Sequence, residues 1–147
     1  MANYQIREFH DSVAKWIKAS QLGLEDVVRI MVANIHKDLV YGSPVDTGRF
    51  RANWQITANV PPFYALNQYD KDGKKTIAEG KRITNAMLTR GAAITTIYFS
   101  NMLIYANALE YGHSKQAPAG VLGIVAIRLR SYVNNAIKES RLKNGVR

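Results

Sequence analysis

Ser43-Pro44-Val45-Asp46-Thr47-Gly48-Arg49-Phe50-Arg51-Ala52-Asn53-Trp54 is the stretch on which the fold turns, because the hydrophobic period changes across it. Upstream, Leu24, Val27, Val28, Met31, Ile35 and Leu39 recur at the spacing of one helical face. Glu25 and Asp26 sit in the first turn, where the helix dipole favours acids, and Gly42 then Pro44 end the run. The pattern predicts a helix over residues 24–41. Downstream the period drops to two: Trp54, Ile56, Ala58 and Val60 alternate with Asn53, Gln55, Thr57 and Asn59, as in a half-buried strand. Between the two, Pro44, Asp46 and Gly48 spell a turn in which the Asp46 carboxylate accepts backbone N–H bonds and Gly48 takes a positive φ.

Working outward, Ile6, Phe9, Val13, Trp16 and Ile17 predict an N-terminal helix within residues 1–20, with a stripe narrow enough to dock on a partner. A second strand is expected from Ile94 to Ser100, paired with the first. Helical spacing returns from Leu103 to Tyr111. It returns again from Val121 to about Arg141, where Leu122, Val125, Leu129, Tyr132, Val133, Ala136 and Ile137 share a face and Pro118 precedes the start. The fold class read from this order is α+β: a small antiparallel sheet against a long helix of the first half and a C-terminal helix, all in one domain over residues 1–147. Residues 61–93 are too long for a hairpin and are read as a variable arm or loop, with a polar turn at Asp70-Lys71-Asp72-Gly73-Lys74-Lys75 and a weak helix from Thr76 to Leu88.

Charge is uneven. The whole chain carries +9, and residues 121–147 hold six basic side chains against one acid, ending in a basic tail over 142–147. Such a segment suits nucleic acid, an acidic protein or plain solvent. At the helical period Arg128 and Arg130 lie about 200° apart, so the basic groups, with Lys138 and Arg141, are expected to spread round the helix instead of forming one stripe. A nucleic-acid-binding module acting through this segment is the alternative function, with Arg128, Arg130, Lys138 and Arg141, and Lys71, Lys74 and Lys75 of the polar turn, as its contacts.

The catalytic inventory is thin. The chain has no cysteine, which removes thiolate metal sites, disulfides and a Cys nucleophile, and suits a reducing cytoplasm. His10, His36 and His113 stand at no metal-ligand spacing, and His36 reads as a surface or rim histidine. Neither a G-x-S-x-G elbow nor a phosphate-binding glycine loop occurs. Asp46 and Glu110 would serve a two-carboxylate hydrolase only if the fold joined them. The plainer reading keeps Asp46 in its turn and pairs Glu110 with Arg49 or Arg51. No catalytic residue, cofactor, metal, small-molecule substrate or membrane segment is expected.

Two segments carry a family resemblance. Pro44-Val45-Asp46-Thr47-Gly48-Arg49-Phe50-Arg51, closed by Trp54, resembles the PVDTG signature that follows the long helix in small phage tail-completion proteins of the minor-tail-protein Z-like group. Tyr105-Ala106-Asn107-Ala108-Leu109-Glu110-Tyr111-Gly112 and then Ala117-Pro118-Ala119-Gly120-Val121 are similar to that group's YAxxxEYG and APxG elements. The matched order spans about residues 22–140 and leaves out the first helix and residues 61–90. The resemblance implies a non-enzymatic virion protein, assembled in the host cytoplasm. It implies a ring of identical copies, hexamer or dodecamer, at the phage neck between connector and tail tube. Neighbouring neck proteins, and DNA in the lumen, would be its partners.

Overall fold

A computed structural model of the chain describes residue 13 and residues 24–89 and 93–143. The N-terminal helix lies outside them except for Val13, which is helical and packs against the core. The chain is α+β. Its described elements, in order, are α1 (Leu24–Gly42), α2 (Arg49–Ala52), β1 (Trp54–Ala58), α3 (Lys74–Thr89), β2 (Ile97–Asn101), α4 (Ala106–Glu110), α5 (Leu122–Ile127) and α6 (Leu129–Lys143).

The long helix is the axle. Val27, Met31, Ile35 and Leu39 meet Val121, Val125, Tyr132 and Ala136 of the C-terminal half in one buried cluster. Val28 and Val32 meet Ile56 of β1 in a second cluster, with Ile83, Met87 and Leu88 of α3 packed against it. Helix α1 is therefore covered on two sides. That is why Val32, His36 and Val40, which lie off the single apolar face read from sequence, are buried as well. Along α6 the Tyr132 hydroxyl donates to the Asp38 carboxylate, and Lys143 lies 3.7 Å from Asp26, so the two helices run antiparallel.

The strands pair antiparallel with Trp54 opposite Asn101, Ile56 opposite Phe99 and Ala58 opposite Ile97, a two-stranded sheet. Val60, expected on the inward face, is exposed. Asn59 takes φ 67 and its side chain bonds Ala93 O and Thr95 N at 2.9 and 2.8 Å, which ends the strand before Val60. The second strand starts at Ile97, three residues later than expected.

The arm-or-loop reading of residues 61–93 narrows to its first third. Helix α3 is packed on α1 and β1 over 16 residues. Asp70 starts it, accepting from Gly73 N (3.2 Å), Thr76 N (2.8 Å) and Thr76 Oγ1 (2.7 Å), while Asp72 accepts from Lys74 N. Burial raises the Asp70 carboxyl, but the bonds from Thr76 and Gly73 outweigh it and leave the group below its ordinary value. Residues 61–73 form a fixed strap. Asn53, fully buried, accepts from Leu66 N at 2.7 Å and donates to Arg49 O at 2.7 Å, and Gln55 donates to Tyr64 O.

The C-terminal helix is two helices. They break at Arg128, which caps α5, although the apolar spacing runs through the break unaltered.

Candidate functional site: a joint between two sequence segments

The quoted turn and the 101–123 segment fold against each other. Val45 and Gln116 exchange two bonds, Val45 N to Gln116 Oε1 at 2.8 Å and Gln116 Nε2 to Val45 O at 2.9 Å. The Phe50 ring stands edge-on to Trp54, centroids 5.8 Å apart, and lies 6.2 Å from Tyr105. Asn101 donates to Phe50 O at 2.9 Å. Between the segments opens a cleft of about 400 Å³ lined by residues 44–50, Tyr105, Leu109 and residues 113–116.

Arg51 ties the turn to its neighbours. Its guanidinium donates to Lys71 O (2.7 Å) in the strap and to Tyr41 O (3.2 Å) and Ser43 O (3.3 Å) at the C-terminal end of α1. The Trp54 indole donates to Ser43 Oγ at 2.7 Å, and that hydroxyl donates to Leu39 O at 2.6 Å. Gly48 has φ 84, as the turn requires, and Asp70 N donates to its carbonyl. A Cβ there would lie 2.6 Å from the backbone of Asp70 and Lys71, so the glycine also admits the strap.

Three readings from sequence are corrected. Asp46 is exposed and its carboxylate takes no hydrogen bond among the described residues. The side-chain bond in the turn belongs to Thr47, whose Oγ1 accepts from Arg49 N at 3.3 Å. Glu110 pairs with neither Arg49 nor Arg51. Its two oxygens accept from Val121 N (3.0 Å), Leu122 N (2.7 Å) and Gly123 N (2.9 Å), closing the start of α5. Gly120, at φ 80, brings the chain so close to Glu110 that a Cβ would lie 2.4 Å from its carbonyl oxygen. This folded-back cap sets the start of α5 at Leu122, one residue after the Val121 read from sequence. With Glu110 engaged there and absent from the cleft that Asp46 lines, no carboxylate pair forms at that cleft.

His36 is the third correction. It is 3 % exposed, with Nε2 3.1 Å from Trp54 O, so that nitrogen carries a hydrogen and donates it to the carbonyl. Burial lowers its pKa below the ordinary value, while the bond to Trp54 acts against the shift. Gly80 on α3 makes room for it, since a Cβ would fall 2.4 Å from the imidazole.

Among the other sequence-marked residues, Tyr111 and Pro118 are exposed, Gly112 has φ 86, and the Nε atoms of Arg49 and Arg51 are buried without a partner among the described residues. Lys71, Lys74 and Lys75 are exposed, as are Arg128, Arg130, Lys138 and Arg141, and the two groups belong to different elements. Sequence reasoning missed Gln116, Asn53 and Asn101, amides whose partners are backbone groups remote in sequence. Asp70 had a signal, an acid shortly before a helix start. Among the described residues no group of three or more His, Cys, Asp or Glu is placed to hold a metal, and no helix is long and apolar enough to cross a membrane.

No protein-family model, curated protein or solved structure matches the chain.

Proposed function

We propose that this chain is a structural, non-catalytic subunit of a bacteriophage neck, forming a ring that completes the tail or joins it to the head connector. The observation that carries the reading is the joint: the segments that resemble tail-completion proteins, separated by some fifty residues, are the ones that fold against each other.

The surface supports self-association. Ile104 is 100 % exposed, Phe63 82 %, Tyr111 81 % and Ile127 80 %. These side chains lie on separate segments, the strap, the flanks of α4 and the end of α5. A cyclic ring needs two different surfaces on each subunit, and large exposed apolar groups are what such surfaces bury. Its partners would be further copies, then connector and tail-tube proteins; its location would be the virion.

Light scattering on the purified chain, with negative-stain imaging after mixing with tails and connectors, tests this. A ring, or a particle that adds to tail ends, is the expected result. A monomer at all concentrations that binds neither tails nor connectors overturns it.

A further inference from the structure

Arg128 stands at the break between α5 and α6, apart from the other cations of the basic segment. With Arg128 outside α6, the remaining cations are counted along one helix. At about 100° per residue, Lys138 and Arg141 lie roughly 80° and 20° round from Arg130, and Asn134 lies between them. The sequence-based expectation of scattered charge fails for these three. All four side chains are exposed, and no hydrogen bond engages them among the described residues. They form one stripe along the outer face of α6, opposite the buried Tyr132, Ala136 and Ser140.

Among the described residues no acid pairs with the stripe. Glu139 lies on the flank, about 100° from Lys138. The nearby acids of α1 are occupied: Asp38 accepts from Tyr132, and Asp26 pairs with Arg29 and Lys143. The stripe itself presents cations and an amide, and the exposed apolar Leu142 stands at its edge, about 40° beyond Lys138. Protein interfaces centre on aromatic or aliphatic side chains and, though rich in arginine, are poor in lysine, whereas phosphodiester contacts need only cations and polar donors. The rise of the helix sets Arg130 about 12 Å from Lys138 and about 16 Å from Arg141, a reach comparable to the major groove, roughly 12 Å wide.

We propose that the outer face of α6 binds the phosphate backbone of double-stranded nucleic acid without reading its sequence, through Arg130, Asn134, Lys138 and Arg141. The inference stands on this surface alone and does not rest on the neck reading.

Fluorescence anisotropy of the full chain with a labelled DNA duplex of arbitrary sequence, titrated with salt, is the test. Three phosphate contacts give a slope of log affinity on log salt of about −2.7. Arg130→Gln/Lys138→Gln/Arg141→Gln should flatten the slope by most of that and weaken binding at least tenfold at low salt. Lys37→Gln/Lys81→Gln/Lys115→Gln, with the same loss of net charge at exposed positions outside both basic groups, should keep the slope. Arg130→Lys/Arg141→Lys should retain binding, and unchanged melting of each variant shows that folding is intact. Absence of binding at low salt overturns the proposal. So does equal weakening by the two Gln triples, which would make net charge the cause, or tighter binding to polyglutamate than to duplex, which would make the partner an acidic protein.

Discussion

Around Gly48 the chain is held by side chains bonded to backbone: Arg51 to three carbonyls, Asn53 to Leu66 and Arg49, Gln116 to both polar groups of Val45. Along the outer face of α6 the side chains are equally polar and bond nothing among the described residues. The first region spends its polarity on fixing geometry and the second leaves its polarity free for a partner. The residues of the family resemblance fall mostly in the first kind of surface, although Asp46, Tyr111 and Pro118 among them are exposed. A sequence motif there reports how the chain is built, and a surface for a partner is to be sought where polar side chains are left unbonded.

If that contrast holds, substitutions in the joint cost stability and substitutions on the outer face do not. The largest effect is expected at Gly48→Val. A β-branched residue at φ 84 is strained, and its Cβ would overlap the strap backbone at 2.6 Å. Strain and overlap together should remove about 3 kcal/mol or more, a large share of the stability of an ordinary domain, and lower the melting temperature by several degrees or more. A melting temperature within a degree or two of the parent would show that the turn relaxes freely, and the joint would lose its claim to rigidity. Next comes Glu110→Ala, which strands the N–H groups of Val121, Leu122 and Gly123. A loss of about 2 kcal/mol in urea unfolding is expected. A neutral result would mean that water replaces the carboxylate at no cost.

What was legible in the sequence follows the same division. Helix α1 was readable because one apolar face recurs among charged residues, and Gly48 because a turn between a helix and a strand leaves few residues able to take its φ. The strand pairing was readable from period and composition. Residues whose partners are backbone groups far along the chain were not. Nothing in Glu110 itself announces that Gly120 folds the chain back over it, and nothing in Leu24–Gly42 announces that Gly80 opens space for His36. The break at Arg128 was hidden because Val125, Leu129 and Tyr132 keep helical spacing across it. The basic stripe was open to the same arithmetic, since Arg130, Lys138 and Arg141 keep their offsets with or without the break; counting Arg128 among them obscured it.

His36 gives a smaller and reversible perturbation of the joint, since it bonds Trp54 O. Its folded-state pKa lies below the ordinary 6.5. The unfolded chain therefore takes up a proton near pH 6.5 that the folded chain refuses. The contribution is complete above that pH and is lost as the pH falls below it, at no more than about 1.4 kcal/mol per pH unit. Urea unfolding at pH 7, 6 and 5 should show the decline, and His36→Gln should remove it. Stability that stays flat over this window in the parent chain would place the ring in contact with water.

The smallest effect is expected at Asp46→Asn, although Asp46 lies at the centre of the motif. Its carboxylate is exposed and receives no bond among the described residues, while the neighbouring Thr47 hydroxyl accepts the turn's N–H. The substitution keeps shape and removes only a solvated charge, so the unfolding free energy should move by less than about 0.5 kcal/mol. Thr47→Val removes the hydroxyl and should cost more than Asp46→Asn does. The reverse order would restore Asp46 as the residue that closes the turn. If the expected order holds, the acid is dispensable to folding and belongs with the outward-facing side chains that α6 represents.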